Sequence, residues 1–169
     1  VVDNTSGTTY PWDNVNDYSC DGIGPVVNVT NDPDRSFMTI QAAIDAPTTI
    51  TGDVIEVSAV TYTYLTEGSP APSGLIKVTK GVTLRPQGTA RPIIDGSDFD
   101  GVFKIHPSAL LPGNTVIIEG FEIKGNVITG IAMTMQGCFD VTPAKVIIRD
   151  NWFHGMVGGI DFWGAGAYL

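Results

Sequence analysis

At 169 residues the chain is long enough for one domain with one continuous core. Hydrophobic residues make up 43% and charged residues only 16%, with 20 Gly and 11 Pro. That composition excludes a disordered chain and favours strands and turns over helices. The net charge of −9 argues against nucleic acid and anionic bilayers as partners, because phosphate binding needs a basic surface. No apolar run reaches the roughly 20 residues of a membrane span.

The chain opens on Val1-Val2 and carries the sequons Asn4-Thr5-Ser6 and Asn28-Val29-Thr30, which fits a processed extracellular or cell-surface protein or an excised fragment. Residues 1–35 are polar and turn-rich. They read as an irregular arm with one short strand, Val26–Val29, pinned to the body by Trp12 and Tyr18. Residues 36–46 (SFMTIQAAIDA) form the helix candidate. Ile40, Ala43 and Ile44 share one face, Ser36 or Thr39 supplies the cap, and Pro47 ends it.

Beyond the helix the apolar period changes to two. Strands are expected at Val54–Val57, Leu75–Val78, Val82–Arg85, Ile93–Asp95, Val102–Ile105, Thr115–Glu119, Gly130–Met135, Lys145–Asp150 and Gly159–Trp163, each bounded by Gly, Pro, Asn or Asp. Two of these stretches repeat. VIIEGFEIKGNVITGIAMTM from Val116 aligns with VIIRDNWFHGMVGGIDFWG from Val146 at an offset of about 30 residues, and a looser copy begins at Val82. With one deletion, Val116 meets Val146, Ile118 meets Ile148, Ile123 meets Phe153, Ile131 meets Ile160, and Met133 meets Phe162. One such unit cannot bury its own apolar face; stacked copies bury like residues against like.

The segments FMTIQAAIDA, GDVIEV, KGVTLRPQG, IIDG, VIIEGFEIKG and VIIRDNWFHG resemble right-handed parallel β-helix proteins, a superfamily that includes pectate lyases, pectin methylesterases and polygalacturonases. The resemblance spans residues 36–163 and implies an all-β solenoid over residues 36–169. It also implies that helix 36–46 caps the N-terminal end, while the C-terminal end is left open. One solenoid carries many functions, so the resemblance implies the fold far more than an activity.

No complete catalytic constellation is found. The nearest residues are Asp161, Arg149 and His154. Lyases of this fold pair an Arg or Lys base with calcium on clustered carboxylates, but no outward Asp or Glu is stacked on another. Gly159–Gly164 (GIDFWG) resembles the pectin methylesterase motif that holds the nucleophilic Asp, with one residue missing and no match for the partner Asp or Gln residues. The outward pairs Glu119/Arg149 and Lys124/His154 read as surface ion pairs or solvated side chains, and Asp161 faces Ala132.

Trp152 and Trp163 are the ligand-binding candidates, as platforms for sugar rings or contacts for a loop. Asp95, Asp98 and Asp100 in DGSDFDG are the calcium candidates; no other cofactor is expected. Cys20 and Cys138 admit one intrachain disulfide tying the arm to a later coil, or remain two unpaired buried thiols. Ile117 and Ile147 stack outward in one column with Thr83, and together with Phe162 and Tyr168 they are the interface candidates.

These readings point to a non-catalytic structural or adhesive module that self-associates or binds other surface proteins, with head-to-tail assembly through the open end. The alternatives are an N-terminal fragment of a polysaccharide lyase or carbohydrate esterase, and a carbohydrate-binding solenoid.

Overall fold

The computed structural model describes residues 24–67, 75–97, 101–125, 131–136, 144–155 and 160–163. The described chain begins with β1 (Val26–Asn28), β2 (Asp32–Phe37) and helix α1 (Ile40–Asp45). Four similar passes follow. The first is β3 (Val54–Val57), β4 (Thr61–Tyr62), the one-turn helix α2 (Tyr64–Glu67) and β5 (Ile76–Val78). The second is β6 (Thr83–Pro86), β7 (Ile93–Asp95) and β8 (Gly101–Ile105), followed by a 3-10 turn at Pro107–Leu110. The third is β9 (Thr115–Glu119), β10 (Glu122–Lys124) and β11 (Ile131–Gln136), and the fourth is β12 (Lys145–Arg149), β13 (Trp152–His154) and β14 (Ile160–Trp163). The architecture is all-β with partly parallel sheets. Among the described residues no helix is long and apolar enough to cross a membrane.

Each pass contributes one strand to each of three sheets, ordered β12-β9-β6-β3-β1-β2, β13-β10-β7-β4 and β14-β11-β8-β5. Pairing between passes is parallel throughout, while β1 runs antiparallel to β2 and β3. Parallel neighbours need a long crossover, and here that crossover is the passage through the other two sheets. Strands β4, β10 and β13, of two or three residues, are not among the expected strands.

The expected stacking of the Val116 and Val146 segments is present. β9 and β12 pair Val116 with Val146, Ile117 with Ile147 and Ile118 with Ile148. β6 joins the column, with Thr83 beside Ile117 and Leu84 beside Ile118. One apolar column therefore runs Ile55, Leu84, Ile118, Ile148, and a second runs Tyr62, Ile94, Ile123, Phe153. Ile55, Leu84, Ile118, Ile94 and Ile123 are fully buried, each contributing roughly 1.5–3 kcal/mol. Phe103 and Phe121 meet edge to face across the core, with ring centroids 6.0 Å apart.

Two expectations are corrected. The first concerns the last strand pair, where β11 and β14 place Met133 beside Ile160, Thr134 beside Asp161 and Met135 beside Phe162. Asp161 therefore neighbours Thr134, not Ala132. The connection from Gly125 to Met133 covers eight positions, whereas that from Gly155 to Ile160 covers five, so three residues are lost between the copies rather than one. A slip of two keeps each side chain on its own face, so the apolar alternation does not distinguish the two registers.

The second concerns the helix, which covers Ile40–Asp45 rather than 36–46. Ser36 and Phe37 instead finish β2, paired with Val27 and Val26, so residues 24–35 hold parts of two strands rather than one. Thr39 is the cap: its side chain accepts from the Ala42 N–H at 2.9 Å. Ile40, Ala43 and Ile44 are buried as expected.

Candidate functional site

The outer face of β7, β10 and β13 gathers one set of chemically capable side chains. Register places Ile93, Glu122 and Trp152 in one row and Asp95, Lys124 and His154 in the next. Trp152 is 55% exposed. Its ring stacks on the His154 imidazole, with centroids 4.4 Å apart and planes 28° from parallel. Residues two apart on a strand share a face, which is why the pair can meet. His154 Nε2 is hydrogen-bonded to Glu122 Oε1 at 2.9 Å. Lys124 Nζ lies 2.8 Å from Asp95 Oδ2. Burial raises the Asp95 carboxyl, but hydrogen bonds from Lys124 and Ser97 outweigh it and hold the group below its ordinary range.

The outer face of the largest sheet carries a second charged column. Arg85 Nη2 pairs with Glu56 Oε1 at 2.7 Å, and Arg149 Nε pairs with Glu119 Oε2 at 2.5 Å. The four side chains line one shallow depression with Pro86 and Asp150. The Glu119 hydrogen bond and charge raise the Arg149 guanidinium above its already high value, which works against Arg149 as a proton-abstracting base.

A third feature lies at the N-terminal end, where β2, α1, β4 and α2 enclose a cleft of about 840 Å³. Glu67 in its wall is 5% exposed. Its two carboxylate oxygens accept from the backbone N–H groups of Ile40 at 3.0 Å and Gln41 at 3.1 Å. Burial raises this carboxyl to about 7 despite those two bonds.

Arg149, His154 and Asp161 fall on β12, β13 and β14, the outermost strands of three different sheets. Their backbones are dealt to separate sheets. Trp152 and Trp163 are divided in the same way, on β13 and β14. Ile117 and Ile147 are neighbours in register, both half-buried. The backbone of Phe162 lies beside Met135. Asp95 is committed to Lys124 and Ser97, and no group of three or more His, Cys, Asp or Glu side chains among the described residues is placed to hold a metal. Asp98, Asp100, Cys20, Cys138, Tyr168, Trp12 and Tyr18 lie outside the described residues.

Glu122 and Glu67 are site residues that sequence reasoning misses. The match of Ile123 with Phe153 sets Glu122 beside Trp152, but carries no sign of its diagonal bond to His154. No local signal links Glu67 to a helix start 27 positions earlier. Comparison with family models, with curated proteins and with solved structures finds no match.

Proposed function

We propose that the three sheets are the faces of a right-handed parallel β-helix, and that it serves outside the cell as a non-catalytic structural or adhesive module that stacks end to end. The observation that carries this reading is the change in burial along the columns. Val116, Ile118 and Ile123 are fully buried, whereas Val146, Ile148 and Phe153, one pass further on, are only partly covered. Strands β12, β13 and β14 are the outer strands of all three sheets. Among the described residues no further strand pairs with them, and a pass with a half-covered apolar layer is a template for another strand layer. A second copy meeting it head to tail would extend the stack.

The absence of catalysis in this reading is supported by how the outward charges are used. Glu56–Arg85, Glu119–Arg149 and Asp95–Lys124 are paired from one pass to the next. Such pairs neutralise the surface rather than converge on a reacting atom.

Sedimentation velocity across a concentration series, with negative-stain microscopy, tests the proposal. Concentration-dependent rods are expected, and Phe162→Asp, on the outermost strand, should abolish them. A monomer at every concentration that cleaves or de-esterifies polygalacturonate would replace this reading with the enzyme one.

A further inference from the structure

We infer that the outer face of β7, β10 and β13 is a binding site for a neutral oligosaccharide, with the Trp152 ring as its platform. The inference goes beyond the stacking proposal and does not depend on it, because this face looks sideways rather than along the stack.

Trp152 is an exposed aromatic side chain with a defined orientation. More than half of its surface is open, yet stacking on His154 fixes its ring plane. The imidazole is held in turn by Glu122. A ring already fixed before binding loses little conformational freedom on binding. Its π-face suits the axial C–H face of a pyranose, which is apolar on one side and rimmed by hydroxyls.

The polar groups around the ring match those hydroxyls. Glu122, His154, Lys124 and Asp95 occupy the two rows beside the Trp ring. Between them they supply carboxylate acceptors, ammonium donors and an imidazole that does either. Neighbouring strands are spaced about 4.8 Å apart, close to the width of one sugar ring. An apolar peptide finds a poorer match, since Ile93 is the one aliphatic side chain beside four charged or polar ones in the two rows.

Charge selects the class of sugar. Asp95 and Lys124 cancel each other at 2.8 Å, and Glu122 is hydrogen-bonded to His154 at 2.9 Å, so these four side chains carry no excess positive charge to hold a uronate. The whole chain carries −9. A uronate polymer would bring further negative charge to a negative surface and be repelled. A neutral glycan meets no such penalty.

Isothermal titration of the full chain with cellohexaose, xylohexaose and mannohexaose, and with hexagalacturonate as the acidic probe, tests this. At least one neutral hexaose should bind and the acidic one should not. Trp152→Ala should weaken that binding about tenfold or more, while Trp152→Tyr, which keeps a ring, should retain most of it. Both variants should melt close to the parent, because the side chain is exposed, and should sediment as the parent does. Failure of every neutral hexaose to bind would overturn the inference. So would equal affinity in the Ala variant, or tighter binding of hexagalacturonate.

Discussion

The side chain of Asn151 reaches back 33 positions to donate from Nδ2 to the Ile118 carbonyl at 2.8 Å. Its Oδ1 also accepts from the N–H of the buried Phe121 at 2.9 Å. One amide therefore satisfies a donor and an acceptor at the corner between β9 and β10, using both halves of its hydrogen-bonding capacity. Asn151→Ala leaves both backbone groups short of a partner and should cost about 2–3 kcal/mol in urea unfolding. Asn151→Asp keeps the acceptor but loses the donor, so at neutral pH it should not restore stability. A loss below about 0.5 kcal/mol for the Ala variant would show that water replaces the amide.

Gly120 and Asp150 follow the paired residues Glu119 and Arg149, and both adopt the left-handed conformation, at φ 78° and 57°. At Gly120 an added Cβ would sit 2.7 Å from Cδ and Cγ of Pro86, a rigid ring. Gly120→Ala should therefore destabilise by more than the roughly 1–2 kcal/mol of left-handed strain alone. At Asp150 the strain is already present, so Asp150→Gly should be neutral or stabilising by up to about 1 kcal/mol. Thermal midpoints that moved the same way in both variants would contradict this account.

Glu67 gives the fold a pH dependence of defined sign. Its folded value of about 7 lies above its ordinary 4.5, so the folded state binds the proton more tightly. The resulting stabilisation is complete below about 4.5 and is lost as pH rises through 7, at most roughly 3 kcal/mol in all. Arg35, Asp45 and Tyr62 line the same cleft. Asp53 shifts the other way: burial raises its carboxyl, but Asn28, Ile50, Asn31 and Lys80 outweigh that and lower it. Its contribution is lost only as pH falls below the ordinary carboxylate range, so it does not offset Glu67 between pH 5 and 8. Burial and the charges of Lys77 and Lys104 lower the His106 imidazole, which makes stability rise with pH in the same window, so unfolding free energy should drop between those two pH values in the parent and not drop in Glu67→Gln. A drop of equal size in the variant would assign the effect elsewhere.

Asp53 also anchors the N-terminal end. It is 1% exposed and accepts from Asn28 Nδ2 at 2.8 Å and from the Ile50 N–H at 2.9 Å. Asn28 donates in addition to Thr49, whose hydroxyl bonds the Ala43 carbonyl in α1. Asp53→Ala breaks a buried network that ties β1 to the helix, and should cost about 3 kcal/mol or more. Asp53→Asn should recover part of that. Urea midpoints of the two variants would check the order.

Much of this structure was legible from the residues alone. The matching runs from Val116 and Val146 foretold the pairing of β9 with β12 residue by residue, because the two copies match there without a gap and stacked copies bury like residues against like. The apolar stripe of Ile40, Ala43 and Ile44 likewise announced α1, but left Ser36 or Thr39 as its cap, and the structure uses Thr39. Three things belonged to the tertiary structure. The register of β14 depends on the length of a turn, and a two-residue slip leaves the alternation unchanged. The separation of Trp152 from Trp163, and of Arg149, His154 and Asp161, depends on where the chain turns from one sheet to the next. The meetings of His154 with Glu122 and of Glu67 with the start of α1 join side chains 32 and 27 positions apart. Periodicity encodes which way a side chain faces; only the folded chain decides which distant partner waits there.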